Sequence, residues 1–301
     1  MTFEKTLQSV VAVRSSVPDD AFTAGTLGNQ REGSGIVIRD NGLVLTIGYL
    51  ITEAEEVWLT RHDGKVVPAH PLSYDQETGF GLVQALGALD LPAVELGKAS
   101  AVQVGDEAIL ADGRGDFVET TIVARQEFAG YWEYLLEDAI FTSPAHQSWG
   151  GAALIGLDGS LLGVGSLRLQ MARGEEVSDI NMIVPIDLLP PILDDLVSRG
   201  RVNKPARPWL GAFSAESNGE VIVMSVSEGG PAARAGLKQG DIISDVRDGE
   251  VEGLSDFYRK LWASGPAGAE VPMRVVRDGR ETWLRIKTAD RDSFLKKPQL
   301  Q

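Results

Sequence analysis

The chain holds three histidines, His62, His70 and His146, and no cysteine. The missing thiol excludes disulfides, thiolate catalysis, zinc–thiolate sites and cysteine-ligated clusters. The histidines lie far apart in sequence, so a histidine metal centre has few candidates, and neither a metal nor a cofactor is expected. Ser148 stands two residues after His146. In an extended segment both side chains face the same way. A nucleophile–base dyad needs a third group to orient the histidine, and no acid beside this pair is evident. Ordinary loop polarity is therefore the stronger reading of His146 and Ser148. His62 precedes Asp63–Gly64 in a turn and His70 ends a strand, both surface positions. Arg114–Gly115–Asp116 spells an adhesion tripeptide but reads as a turn. Glu53–Ala54–Glu55–Glu56 reads as a solvated charge run.

The elements that must position these residues are mostly short strands. Gly35–Ile38, Asp40–Asn41–Gly42 and Leu43–Thr46 read as a hairpin, with Asn-Gly supplying the positive φ angles of a tight primed turn. Val57–Thr60 and Val66–Ala69 flank Asp63–Gly64 in a second hairpin. Further strands are expected at Phe80–Gln84, Glu107–Leu110, Val118–Ala124, Tyr134–Leu136, Ala152–Ile155 and Leu161–Ser166. Many short strands with regular turns indicate a sandwich or barrel. Asp187–Arg199 carries the three-to-four spacing of a helix, closed by Gly200. Arg201–Pro208 is a basic, proline-bearing linker. Beyond it a smaller α+β unit reads as strands at Val221–Val226, Asp241–Val246, Val271–Val276 and Thr282–Ile286, with helices at Pro231–Ala235 and Leu254–Ser264.

Length, 301 residues, suggests two or three domains. The charge sum of 28 basic and 43 acidic residues is −15. Such an excess disfavours nucleic acid or anionic lipid, both of which need basic patches. No apolar run reaches 18 residues, so no membrane span is expected. The first residues lack the apolar stretch of a secretion signal, so the chain as written reads as cytoplasmic, or as periplasmic if it is a mature form.

Several motifs together carry a resemblance. Gly33–Ser34–Gly35–Ile36–Val37–Ile38 with Asp40–Asn41–Gly42–Leu43–Val44–Leu45–Thr46, Leu96–Gly97–Lys98–Ala99–Ser100 and Val104–Gly105–Asp106 resemble the HtrA/DegP family of trypsin-like serine proteases. Trp209–Leu210–Gly211 and the run Ser227 to Ile243 (SEGGPAARAGLKQGDII) resemble that family's PDZ domain. The resemblance spans about Glu32 to Lys287. It implies a mainly β chain: a trypsin-like double β-barrel over 1–200, a linker over 201–208, an α+β PDZ domain over 209–290 and a tail over 291–301.

The resemblance also assigns positions. Where the family has its histidine, Leu45–Thr46–Ile47–Gly48–Tyr49 puts Tyr49. A phenol with a reference pKa near 10 is a poor base at neutral pH. Gly79 takes the aspartate position. Aligning on Gly150–Gly151 puts Trp149 at the serine position, and aligning on Asp158–Gly159 puts Gly150 there. The aromatic side chains of Tyr49 and Trp149 are expected to fill the vacated cleft, with a ligand pocket as the alternative. The implied function is a proteolytically inactive relative that binds protein or peptide C-termini and acts as chaperone or scaffold. The alternative is a serine endopeptidase with a rearranged site using Ser148. The implied carboxylate-binding amides are those of Leu210, Gly211 and Ala212, and Ala212, Phe213, Phe257 and Leu261 would line the side-chain pocket. A homo-oligomer, a trimer in this family, is implied by resemblance alone.

Overall fold

Short apolar runs punctuated by turn residues close into two barrels. The computed structural model describes residues 3–174 and 176–297. The described residues divide into two units: one of 3–126, 138–203 and 295–297, the other of 127–137 and 204–294.

The first unit opens with helix α1 (Phe3–Gln8) and strand β1 (Val10–Ser16), followed by the short helix α2 (Ala24–Leu27). Strands β2 (Gln30–Arg39), β3 (Leu43–Ile47), β4 (Glu56–Thr60), β5 (Val66–Tyr74) and β6 (Phe80–Ala85) close the first barrel in the order β1-β2-β3-β6-β5-β4. Its interior is apolar: Val11, Val13, Val37, Val44, Leu59 and Val83 share one face by register and are buried. Each such side chain contributes roughly 1.5–3 kcal/mol by leaving water. The second barrel comprises β7 (Glu107–Ala111), β8 (Phe117–Gly130), β9 (Tyr134–Ser143), β10 (Ala153–Gly156), β11 (Leu161–Arg173) and β12 (Glu176–Pro185), ordered β10-β11-β12-β9-β8-β7. Helix α3 (Pro190–Arg199) follows, with prolines in its first turn and Gly200 left-handed at its end (φ 72°). The first turn of the expected 187–199 helix is a separate 3-10 turn, Ile186–Leu188.

Three local differences from the sequence reading have physical causes. The β2–β3 connection is a three-residue loop, not a tight primed turn: only Gly42 has positive φ (80°), and a bulge at Val37/Arg39 absorbs the extra residue. Strand β5 runs on to Tyr74 past two prolines, because a bulge between Pro71 and Ser73 removes the need for a ladder hydrogen bond there. Strands β1 and β12 were not anticipated. Val10, Val11 and Val13 are buried on β1, and β12 pairs along most of its length with β11.

In the second unit, β13 (Ala212–Ser217), β14 (Glu220–Val226), β15 (Ile242–Val246), β17 (Glu270–Arg277) and β18 (Arg280–Lys287) form a sheet in that order, with β16 (Gly249–Glu250) on β15. Helix α4 is Pro231–Arg234, and helix α5 is Leu254–Ala263. On α5, Leu254, Phe257, Tyr258 and Leu261 recur at helical spacing, and all are buried. They join Leu210, Val223, Met273 and Ile286 in one core. Leu135, from 127–137, belongs to the same core.

Candidate functional site

In the first unit, the chain leaves β3 into a 3-10 turn, Gly48–Leu50, that carries Tyr49. The turn is pinned at both ends. The Gly48 N–H donates to the Gly79 carbonyl at 2.7 Å, and the Ile51 and Thr52 amides return to Gly48 O at 3.0 Å each. The buried Arg31 guanidinium donates to the carbonyls of Tyr49 (2.8 Å) and Thr52 (2.9 Å) and to the Thr23 hydroxyl (2.8 Å). Glu53 accepts from the amides of Phe22, Thr23 and Lys296 and from the Thr23 hydroxyl. Burial pushes Glu53 up, but these donors outweigh it and hold the carboxyl below its usual range. Glu53 is thus a buried structural anion, not part of a solvated charge run.

The Tyr49 hydroxyl donates to the Ser166 carbonyl at 2.9 Å, and burial raises the phenol well above its ordinary value. A methyl group at Gly150 would lie 2.9 Å from that hydroxyl. Gly79 presents its carbonyl to Gly48 and has φ 84°. The segment around Trp149 is held by close backbone contacts. Gly150 O accepts from Ser34 N–H at 2.8 Å, and Gly151 N–H donates to Gly165 O at 2.8 Å. A Cβ at Gly151 would lie 1.9 Å from Ser34 O, and one at Gly165 would lie 2.2 Å from Trp149 O. His146 is buried, and its Nδ1 accepts from the Ser148 backbone N–H at 3.0 Å. The histidine's backbone is fixed in turn by Asn181, whose Oδ1 accepts from His146 N–H at 2.6 Å. An amide donor on Nδ1 leaves the neutral ring's proton on Nε2. The ring's lone pair therefore serves the loop and does not face a serine hydroxyl. His62 is exposed and His70 half-buried. Arg114–Gly115–Asp116 is the β7–β8 turn, with Asp112 Oδ1 accepting from the Arg114 and Asp116 amides. Among the described residues no three metal-ligating side chains cluster, and no helix is long and apolar enough to cross a membrane.

In the second unit, the amides of Leu210, Gly211 and Ala212 converge on one carboxylate. It belongs to Glu133. Oε1 accepts from Gly211 at 2.7 Å and Ala212 at 3.1 Å, and Leu210 donates to Oε2 at 3.0 Å. Gly211 has φ 74°, which favours glycine. Glu133 itself is 4% exposed and left-handed at φ 59°. Burial lifts its carboxyl to about 7 against the pull of the three amides and of Arg291. Leu210, Ala212, Phe257 and Leu261 are all buried, and the half-buried Phe213 ring lies 6.1 Å from that of Tyr131.

Residues 33–164 match the trypsin-like peptidase domain family, and residues 208–288 match the PDZ domain family. A probable periplasmic serine endoprotease DegP-like of Hahella chejuensis is 27% identical over 278 residues, which are 86% of this chain and 57% of that protein. The periplasmic serine endoprotease DegP of Escherichia coli is 25% identical over 272 residues, 85% of this chain and 56% of that protein. The chain is a relative of the DegP/HtrA serine endoproteases. Solved HtrA-type structures share its fold. The HtrA-type protease AlgW with decapeptide aligns at a TM-score of 0.56 and 22% identity, covering 98% of both chains. The serine endoprotease from Yersinia pestis aligns at 0.55 and 22%, covering 96% of this chain and 98% of that one.

The structure brings Tyr49, Gly79 and the 148–151 segment close together in the first unit. Gly79 O meets the turn that carries Tyr49, and the Tyr49 hydroxyl abuts Gly150. It brings His146 and Ser148 together through ring and backbone. Glu133 was missed. Its partners lie 77 to 79 residues away, so no local pattern marks it. The one available signal is an acid inside the aromatic run Tyr131–Trp132–Glu133–Tyr134, between two expected strands.

Proposed function

We propose that this HtrA-like chain is proteolytically inactive and that its PDZ unit receives protein or peptide C-termini, serving as chaperone or scaffold. The observation that carries the first half is the chemistry at the three positions assigned by resemblance. Tyr49 is a neutral phenol engaged as a donor to Ser166 O, Gly79 has no side chain, and Trp149 offers no nucleophile. Loss of one triad member costs about 10⁴–10⁶ in rate in dissected proteases. The nearby Ser148 and His146 do not substitute in their present arrangement, since His146 Nδ1 already accepts from the Ser148 amide.

The second half is supported by the three convergent amides of Leu210, Gly211 and Ala212, a geometry suited to a carboxylate. AlgW, which shares the fold, is a protease solved with a decapeptide, and peptide binding is carried to this chain on that footing as part of the proposal. The relatives named above are periplasmic proteins, and we extend that compartment to this chain, to be decided by cell fractionation. A homo-oligomer, as in the family, completes the reading, with light scattering as its check. Proteolysis is tested by digesting casein and a fluorogenic peptide pool with the full chain. No cleavage above a buffer control is expected. Cleavage that disappears in Ser148→Ala would sink the proposal and establish the rearranged endopeptidase in its place.

A further inference from the structure

The carboxylate cradle of the second unit is filled by the chain's own Glu133, and the fit extends beyond one side chain. Two residues before Glu133, the Tyr131 carbonyl accepts from the Ser214 N–H at 2.9 Å. Ser214 lies two residues after Ala212, the last cradle donor. The 131–133 turn therefore lies along the start of β13, joined to it by this backbone bond and, two residues on, by the Glu133 carboxylate in the cradle. The Tyr131 ring meets Phe213. Tyr258 of α5 clamps the tip from the other side, accepting from Glu133 N–H at 3.2 Å and donating to Gly130 O at 2.8 Å. Arg259 ion-pairs with Glu127 and Glu137, one on each stem, and Leu135 completes the core beneath. The left-handed backbone at Glu133 is uncommon for a residue with a Cβ. Such a conformation persists where the surroundings over-determine it.

We propose that 127–137 is an internal ligand of the PDZ unit, in which Glu133 stands for a C-terminal carboxylate and Tyr131 for the residue two before it, and that an external C-terminus binds by displacing them. The inference rests on the reading of this unit as a receptor for C-termini, and it names the class received: a free carboxylate with an aromatic residue third from the end. The test uses the full chain, wild type and Glu133→Ala, and two octapeptide pools ending Tyr-X-X, one with free carboxylates and one C-amidated. Calorimetry is expected to give at least tenfold tighter binding of the free-acid pool to Glu133→Ala than to wild type, and no binding of the amidated pool to either. In parallel, the amide resonances of Leu210, Gly211 and Ala212 are expected to move in Glu133→Ala and to return toward their wild-type positions when free-acid peptide is added. Equal affinity for the two proteins overturns the internal ligand and leaves the receptor reading standing. Amides that respond to the substitution while neither protein binds peptide reject the receptor reading, and displacement with it. Glu133→Gln, which keeps the side chain's shape, carries the same measurements if Glu133→Ala does not fold, with a smaller gain expected.

Discussion

Half-buried Tyr49 and buried Glu133 are both ionisable side chains, and desolvation pushes both upward. The outcomes differ because their ordinary values differ. Tyr49 stays a neutral donor at every physiological pH. Glu133 is brought to about 7, where a small pH change alters its charge. The groups facing it are the Tyr258 hydroxyl from α5 and Arg291 beyond β18, and Arg259 is held by Glu127 and Glu137. The folded value lies above the unfolded one, near 4.5. Its contribution to stability is therefore fully present below about 4.5 and is lost as pH rises through about 7, a swing of roughly 3 kcal/mol. Carbon-13 labelling of glutamate is expected to reveal one side-chain carboxyl titrating near pH 7, absent in Glu133→Gln. A wild-type spectrum with no glutamate carboxyl titrating near 7 rejects this assignment.

Among the elements, glycines at close approaches hold the segment around Trp149 in the first unit. Gly165 on β11 faces the Trp149 carbonyl, a backbone atom that cannot swing aside. Gly165→Ala is expected to destabilise the chain by about 2–4 kcal/mol in urea unfolding. Gly25→Ala, which meets nothing within 4 Å, is expected to fall within about 0.5 kcal/mol of wild type. Equal effects would remove close packing as the cause. Much at this scale was legible in the sequence. The mainly β architecture, the turn at Asp40–Gly42 and the motif from Ser227 to Ile243 announce themselves through residue type and spacing. What escaped was set by distant partners. β1 is secured by pairing with β2 and β4, Glu53 is buried by Thr23 and by Lys296 far along the chain, and Glu133 is claimed by amides beyond the second barrel in sequence. Periodicity reports a residue's neighbours along the chain, and these three fates are decided elsewhere.

For the whole molecule, the chain passes between its two units four times, after residues 126, 137, 203 and 294. The unit carrying β13–β18 is thus not one continuous stretch: Leu135 of its core and Glu133 of its cradle enter from a distant part of the sequence. A fragment of 204–294 alone lacks both. It is expected to show weaker cooperativity in thermal unfolding than the same unit in the full chain, with apolar surface that binds a hydrophobic dye. A fragment as cooperative and dye-silent as the full chain would show that 127–137 adds nothing to its folding. The same topology bears on affinity. A ligand tethered within one polypeptide acts at an effective concentration in the millimolar range for short flexible linkers. If 127–137 is an internal ligand, any free peptide competes against that standing concentration, so a dissociation constant measured on the fragment would be smaller than that of the intact protein. Partners delivered at high local density, or many termini presented on one surface, would then compete best for the intact chain.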